Sequence, residues 1–229
     1  MLKVSRIPLI GGLFMRIYQL FNRTSSFTTS DNYWENRYKR GDNSGSGSYN
    51  NLAEFKGDVI NEFVAKNNIE TVMEFGSGDG NQLKYFSFKN YVGYDVSETA
   101  ISICRNLFKE DATKQFKLIK THYAEKAELT LSLDVIYHLV EDDVYMAYMK
   151  KLFSSSTQYV IVYSSNSDDH ENNGKVPHVK HRKFTDWVQN YAQEFKLIEH
   201  VPNKYQYNGD GSKSTYADFF IFRIENRKF

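Results

Sequence analysis

The sequence predicts one α/β domain with a doubly wound, seven-stranded sheet that is mostly parallel and has an antiparallel last strand. Three observations favour this class. Short apolar runs alternate with helical apolar stripes along the chain, which is typical of a parallel sheet with helices on its faces. A glycine-rich turn, Gly76–Gly80, follows the first run. A short polar hairpin around Asn208–Gly211 joins the last two runs, so these should pair antiparallel.

Composition limits the possible functions. The chain has 229 residues, which is enough for one large domain with a full core. Its net charge of +1 gives no electrostatic case for a nucleic-acid partner. The single cysteine, Cys104, rules out an intrachain disulfide and a Cys-based zinc cluster. Low cysteine usage is typical of a reducing compartment, so we expect a cytoplasmic protein. Composition leaves the oligomeric state open.

A leading segment, residues 1–50, is predicted ahead of the main domain, residues 51–229. Residues 7–15 are apolar, but Arg16 ends the run. A membrane-spanning helix needs about 20 apolar residues, so this run is too short. A helix over residues 7–21 could dock on the protein's own core, which we favour. It could instead contact a membrane surface or a partner protein, and the protein would then be membrane-associated.

The end of the leading segment is predicted to be a helical lid. Its aromatic and basic side chains recur at helical spacing and could share one face. A polar Ser/Gly loop, residues 41–48, follows. This loop is either a flexible connector or a cover whose amides and hydroxyls close over a polar ligand. The residues of this segment that could contact an acceptor are Tyr33, Trp34, Arg37, Tyr38 and Tyr49.

The remaining elements follow the alternation of strands and helices. Asn51 and Glu54 are placed as a capping box for a helix with an apolar stripe through Val64, and Ser97 could cap the helix after the second strand. A further helix is predicted to begin near Glu141, another to span Phe184–Glu194, and a short one to cover Gln82–Phe86. The predicted strands are Thr71–Phe75, Tyr91–Asp95, Phe116–Lys120, Glu128–Asp134, Gln158–Ser164, Phe195–Val201 and Ala217–Ile224.

The glycine turn and the nearby carboxylates predict the ligand. A dinucleotide-binding turn reads G-x-G-x-x-G and faces a pyrophosphate, but Asn81 stands at the third glycine position. Glu74 and Asp79 would be unfavourable beside a pyrophosphate and acceptable beside a cation. Asp95 ends the second strand, where its carboxylate can accept hydrogen bonds from two ribose hydroxyls. S-adenosylmethionine (SAM) fits this pattern because it has a ribose, a sulfonium and an ammonium, and no phosphate.

Three stretches resemble motifs of the class I SAM-dependent methyltransferases. Residues 72–80 (VMEFGSGDG) resemble the first motif, residues 94–97 the second, and residues 131–139 the motif after the fourth strand. The lead segment and the stretch His178–Thr185 are similar to a bacterial subgroup linked to surface-glycan or secondary-metabolite biosynthesis. The resemblance implies SAM as methyl donor and S-adenosylhomocysteine (SAH) as product. Our leading hypothesis is O-methylation of a small molecule, sugar or glycan that could be phosphorylated.

The resemblance also implies roles for individual residues. Glu74 would orient the glycine turn or the SAM ammonium, and Asp95 would bind the ribose. Val96 would lie against the adenine and Tyr123 near its edge, while Asp134 would lie near the reacting methyl group. The complete implied cofactor-binding set is Glu74, Gly76, Ser77, Gly78, Gly80, Gln82, Asp95, Val96, Ser97, Tyr123 and Asp134.

Methyl transfer is an in-line displacement, so the protein mainly has to align donor and acceptor. An oxygen acceptor also needs a base, and His138 and His181 are the candidates. His178 and Arg182 could bind the acceptor, Arg182 through a phosphate or carboxylate. Alternatively, His138 is structural and the segment around His181 is a solvated loop. The histidines near His170 also suggest a metal site, which their irregular spacing disfavours, so we predict none.

Two other functions remain open from the sequence. The chain could be a non-catalytic module with the SAM-binding fold that scaffolds a biosynthetic complex. It could also be a nicotinamide-dependent reductase, which Asn81 at the third glycine position disfavours. Binding of SAM or of NADH would distinguish these functions.

Overall fold

The computed structural model describes residues 27–171 and 173–225. The predicted helix over residues 7–21, and any membrane or partner contact through it, lies outside the described residues. None of the helices in the described ranges has the length and apolarity needed to cross a bilayer.

Seven strands form one sheet. They are β1 (Thr71–Phe75), β2 (Asn90–Asp95), β3 (Lys114–Leu118), β4 (Ala127–Leu133), β5 (Ser156–Ser164), β6 (Phe195–Val201) and β7 (Asp218–Ile224). Their order across the sheet is β3-β2-β1-β4-β5-β7-β6. β7 pairs antiparallel with both β5 and β6, and the other neighbouring strands pair parallel. The predicted seven-stranded, mostly parallel sheet with an antiparallel last strand is therefore confirmed.

The helices depart from the predicted alternation. They are α1 (Ser30–Lys39), α2 (Asn50–Lys66), α3 (Glu98–Leu107), α4 (Asp142–Ser154) and α5 (Phe184–Tyr191). Within the described residues, α3, α4 and α5 fill the connections β2–β3, β4–β5 and β5–β6. The connections β1–β2 and β3–β4 contain only the 3₁₀ turns Gln82–Tyr85 and Ile119–Thr121.

α2 covers the sheet where the β1–β2 connection has no helix. The side-chain amide of Asn61 donates to the carbonyl of Tyr85 at 2.8 Å, and that of Gln82 donates to the carbonyl of Ala53 at 2.9 Å. The predicted capping box is wrong, because α2 begins after Tyr49 without a side-chain cap. The amide of Asn51 instead donates to the carbonyl of Lys213 at 3.0 Å.

The alternation along β4 places side chains in two apolar layers, one on each face of the sheet. Leu129, Leu131 and Leu133 join the layer that also contains the apolar residues of α2. The opposite layer contains apolar residues of α4, α5 and β7. The polar residues of β4 on that side are satisfied, since Thr130 Oγ1 donates to the carbonyl of Leu152 at 3.0 Å and Ser132 accepts from the Tyr148 hydroxyl at 2.7 Å.

Leu131→Ala should test the first layer. Leu131 is fully buried, so we expect its truncation to lower the free energy of unfolding by about 2–5 kcal/mol through lost burial and a residual cavity. The matched change Leu197→Ala, at a 48% exposed position of β6, should cost about 0.5 kcal/mol or less. Urea denaturation measures both, and equal losses would contradict the assigned burial.

Candidate functional site

A first cavity of about 580 Å³ lies at the carboxyl ends of β1, β2 and β4. The strand order changes direction between β1 and β4, and open α/β sheets bind ligands at such a switch point. Eight of the predicted cofactor residues line this cavity, namely Glu74, Gly76, Ser77, Gly78, Gln82, Asp95, Val96 and Asp134.

Neighbouring side chains pack closely against the glycine turn on two sides. Gly76 and Gly78 have φ values of 91° and 57°, which L side chains rarely adopt. A Cβ atom on Gly76 would lie 2.4 Å from Val135 Cγ2, and one on Gly78 would lie 2.4 Å from Ser44 Oγ. Gly80 does not line the cavity, because it packs on α3, where a Cβ would lie 3.0 Å from Cys104 Sγ. Its predicted contact with the cofactor is therefore replaced by a packing role.

Asp95 holds the glycine turn through a hydrogen bond to its backbone. Its carboxylate accepts from the Gly78 amide at 2.9 Å and from the Ser97 amide at 2.9 Å, and burial raises its pKa. Each carboxylate oxygen keeps a second lone pair for a ligand. Ser97 lies outside the cavity lining. Its hydroxyl caps α3 through the Ala100 amide, as predicted, and donates to Glu35 at 2.6 Å, so its position supports Asp95 rather than contacting a cofactor.

Two buried side chains with acceptor oxygens, Glu74 and Gln82, line the first cavity. Glu74 accepts from the Tyr91 hydroxyl, and burial raises its pKa to about 7. The Gln82 side chain donates to the carbonyl of Ala53, while its Oε1 is buried and has no partner among the described residues. An unpaired buried acceptor is costly, so this position suits a ligand that carries N–H donors. The ammonium of SAM would meet that requirement.

A buried ion pair borders the site. Lys56 is fully buried on α2, and its Nζ lies 2.6 Å from Asp134 Oδ2 and 5.0 Å from the centre of the Tyr163 ring. The Tyr137 hydroxyl donates to Asp134 Oδ1 at 2.8 Å. Asp134 adopts a left-handed conformation, with φ of 59°, directly after β4. Sequence reasoning missed Lys56, although it stands four residues after Leu52 in the apolar stripe of α2, a spacing that places it on the buried face.

The Ser/Gly loop closes onto the glycine turn. Asp79 accepts from the Ser44 amide and from the Tyr49 hydroxyl, each at 2.8 Å, and its own amide donates to Ser44 Oγ at 2.9 Å. The Asp79 carboxylate therefore holds the loop and does not face the cavity, contrary to the prediction that it would accompany a cationic ligand. Tyr49 is likewise a contact within the lid and lines neither cavity described here.

The aromatic residues of α1 divide into two groups. Trp34 and Tyr38 line the first cavity, as an acceptor or cofactor contact requires. Tyr33 lies outside it and stacks on His178, with ring centres 4.2 Å apart at 12°. His178 therefore forms part of the lid packing, and neither Tyr33 nor His178 lies where the predicted acceptor contact would need it.

The two predicted acceptor-binding arginines have structural partners. Arg37 Nε donates to the carbonyl of Asn43 at 2.6 Å. The Arg182 guanidinium donates to the carbonyl of Leu139 at 2.7 Å and to Asp142 at 2.7 Å. Neither arginine lines the first cavity or the second. The prediction that they receive a phosphate or carboxylate is therefore not supported.

His138 lines the first cavity. Its Nδ1 donates to the carbonyl of His178 at 3.0 Å, which leaves Nε2 as the ring atom that can take a proton. The ring packs edge-on against Trp34, with centres 5.0 Å apart. Burial lowers the pKa of His138 to about 4, so the ring is neutral at pH 7.

A second cavity of about 240 Å³ shares Asp134 with the first. His181 and Tyr137 lie in its wall. His181 is buried, its Nδ1 is hydrogen-bonded with the Ser165 hydroxyl, and burial lowers its pKa to about 4. The two predicted bases, His138 and His181, therefore face different cavities, and Asp134 lies in the wall of both.

Of the two residues predicted to contact the adenine, Val96 lines the first cavity and Tyr123 does not. Tyr123 is 87% exposed. The preceding residue, His122, is the one that turns inward, where its ring packs against Phe75 and Tyr94. Besides Val96, the cavity is lined by Ile119, Val144 and Tyr148.

The three histidines after β5, His170, His178 and His181, do not form one cluster. His178 stacks on Tyr33, whereas His181 stacks on His170 with ring centres 3.6 Å apart. In the part of the chain that the structure describes, no group of three or more His, Cys, Asp or Glu side chains is placed to hold a metal ion.

Lys56→Met should test the ion pair. The change leaves the Asp134 carboxylate without its ionic partner in a largely buried place, so we expect the free energy of unfolding to fall by about 3–5 kcal/mol. The control is Lys89→Met, which removes an exposed pair with Glu70 and should cost about 1 kcal/mol or less. Adding Asp134→Asn to Lys56→Met should recover stability. Equal losses from the two lysine variants would show that the buried pair is unimportant.

No protein-family model and no curated protein matches the chain, whereas solved structures do. The N-methyltransferase NodS from Bradyrhizobium japonicum WM9, in complex with SAH, is 13% identical with a TM-score of 0.64, covering 86% of this chain and 99% of that chain. Magnesium protoporphyrin IX methyltransferase (ChlM) from Synechocystis PCC 6803, with bound SAM, is 13% identical with a TM-score of 0.59, covering 88% and 100%. The methyltransferase domain of bacterial CtHen1 is 20% identical with a TM-score of 0.58, covering 76% and 99%. This chain therefore has the fold of the class I SAM-dependent methyltransferases.

Proposed function

We propose that the protein is a SAM-dependent methyltransferase that methylates an oxygen atom of a small-molecule, sugar or glycan acceptor. The observation that carries the proposal is the first cavity, where the glycine turn, Asp95 and the unpaired Oε1 of Gln82 meet at the switch point of the sheet. Fold relatives support it, because NodS was solved with SAH and ChlM with SAM.

The charged and polar residues suit the methionine end of SAM. Lys56 Nζ would bind the carboxylate while remaining paired with Asp134. Gln82 Oε1 and Glu74 would accept from the ammonium. Because the pKa of Glu74 is about 7, a nearby cation would favour its ionised form at neutral pH.

The other end of the cavity suits the nucleoside. Asp95 would accept from the ribose hydroxyls through the lone pairs that Gly78 and Ser97 leave free. Val96 and Ile119 would cover the faces of the adenine. The wall of the cavity thus contains both polar groups for the methionine part of SAM and apolar groups for its adenine.

Bound SAM supplies a methyl group activated by its sulfonium. Asp134, in the wall of both cavities, would hold the reacting groups in line, and such positioning can contribute about 7–11 kcal/mol. The acceptor oxygen would form its bond to the methyl carbon as the carbon–sulfur bond breaks and leaves neutral SAH. The acceptor proton would pass to a neutral histidine, either His138 Nε2 or His181.

Calorimetry with SAM and SAH tests the proposal. We expect binding in the micromolar to millimolar range typical of enzyme substrates. Undetectable binding at millimolar ligand would rule out the methyltransferase. Binding without any methyl transfer, in a screen for acceptors that gain the mass of one methyl group, would favour the non-catalytic scaffold.

Asp95→Ala should weaken SAM binding by more than about tenfold, because the ribose loses its carboxylate partner. Asp58→Ala, an exposed position on α2, is the matched control and should leave affinity unchanged. Asp95 also holds the glycine turn, so the melting temperature of the variant must confirm that the protein stays folded. An unchanged affinity in a folded variant would show that Asp95 is misassigned.

His138→Ala and His181→Ala should separate the two candidate bases. The variant that removes the base should lose about 100-fold or more in turnover with SAM affinity nearly intact, and His200→Ala, on the exposed side of β6, should have no effect. Burial lowers the pKa of both rings to about 4, so the base form persists as the pH falls from 8 to 5, and wild-type turnover at saturating SAM should stay level over that range. Full rates in both variants would exclude both histidines. Rates are measured as SAH released.

A further inference from the structure

The second cavity lies under the lid. Ser46 Oγ donates to the carbonyl of Gly211 at 2.7 Å, and the Asn51 side chain donates to the carbonyl of Lys213 at 3.0 Å. These bonds join the Ser/Gly loop and the start of α2 to the β6–β7 connection and form a roof in which Ser46 and Gly211 line the cavity. Gly47 forms part of this roof and lies so close to Asp134 that a Cβ atom would be 2.6 Å from Oδ2. A molecule in this cavity would therefore be adjacent to the end of the first cavity where Asp134 and Lys56 lie.

The lining of the second cavity carries little charge. Its described lining residues include no Lys or Arg, and Asp134 is the only acidic side chain among them. The Asp134 carboxylate is already paired with Lys56. A phosphate or carboxylate placed here would meet a carboxylate of like charge, with no second cation in the described lining to offset it.

Hydroxyls and aromatic rings make up much of the remaining wall. Tyr207 and Tyr216 lie with ring centres 4.0 Å apart at 28°. Ser165, Ser214 and Thr215, whose hydroxyls also bond within the protein, line the same cavity. Aromatic faces pack against the C–H face of a sugar ring, and hydroxyl groups match its O–H groups as both donors and acceptors. The volume of about 240 Å³ is below the roughly 300–1,000 Å³ of pockets for drug-sized ligands, so it suits a single ring.

We infer that the second cavity binds the methyl acceptor, and that the part of the acceptor it takes is one uncharged, hydroxyl-bearing ring of the sugar type. This inference rests on the proposed function and narrows it, because it excludes the phosphorylated acceptors that the sequence left open. Asp134 is then the residue that both substrates adjoin, and His181 is the proton-accepting group on the acceptor side.

Saturation-transfer NMR on the SAH-saturated protein tests the inference directly. The probes are the neutral methyl glycosides of glucose, galactose and rhamnose, and the charged comparison is glucose 6-phosphate. We expect at least one neutral glycoside to bind at millimolar concentration, about tenfold more tightly than the phosphate. Equal or tighter binding of the phosphate, or no binding of any neutral glycoside, would overturn the inference.

Tyr207 variants locate the bound ring. Tyr207→Ala removes an aromatic ring from the cavity wall and should lower the affinity for the glycoside by about tenfold. Tyr207→Phe keeps the ring, so its affinity for the glycoside should stay within about twofold of that of the native protein. The affinity for SAH, measured by calorimetry, should be unchanged in both variants. A glycoside that binds equally to all three proteins does not occupy this cavity, and the inference then fails.

Different results would contradict the methyltransferase proposal and the acceptor assignment. If SAH does not bind the native protein, the proposed function and the inference fall together. If SAH binds and the glycosides do not, or if they bind without dependence on Tyr207, only the acceptor assignment falls and the methyltransferase proposal stands.

Discussion

The buried ion pair between Lys56 and Asp134 connects three parts of the chain that are distant in sequence. Lys56 belongs to α2, ahead of the sheet; Asp134 follows β4; and Gly47, on the lid loop, fits against the carboxylate only because it has no side chain. Both cavities have Asp134 in their walls. The shape of each cavity therefore depends on one carboxylate whose position is fixed by a fully buried ammonium and by the Tyr137 hydroxyl.

The lid is held by carboxylates that accept hydrogen bonds from neutral groups. Asp79 receives the Ser44 amide, Glu141 receives the Ser30 amide at 2.9 Å, and Glu35 on α1 receives the Thr99 hydroxyl at 2.9 Å. Each such bond contributes only about 0.5–3 kcal/mol, because water can replace its partners. These polar bonds are individually weak, although the aromatic contacts of Tyr33 and Trp34 also hold the segment. Individually weak bonds suit a segment that must let a polar ligand enter and leave.

The sequence predicts those features of the fold that depend on residues close together in the chain. Strand β1 and the turn after it are read from consecutive residues, and Asp95 is found because it ends an apolar run. What a charged side chain contacts is not local. Lys56 meets a partner 78 positions away, Asp79 is taken by the lid loop, and Arg182 is used by backbone carbonyls of the β4–α4 connection. Periodicity shows which face a residue occupies, and only the fold shows which charge is already neutralised.

The position of β7 has a consequence for the order of folding. It follows both β5 and β6 along the chain, yet it lies between them in the sheet, and its residues Phe219 to Phe222 alternate between the two apolar layers. Until it has been synthesised, β5 presents an unpaired edge and β6 has no neighbour in the sheet. During translation the ribosome-bound chain must therefore hold an incomplete sheet with exposed edges, which are prone to pair wrongly. The described sheet is complete only when β7 is inserted.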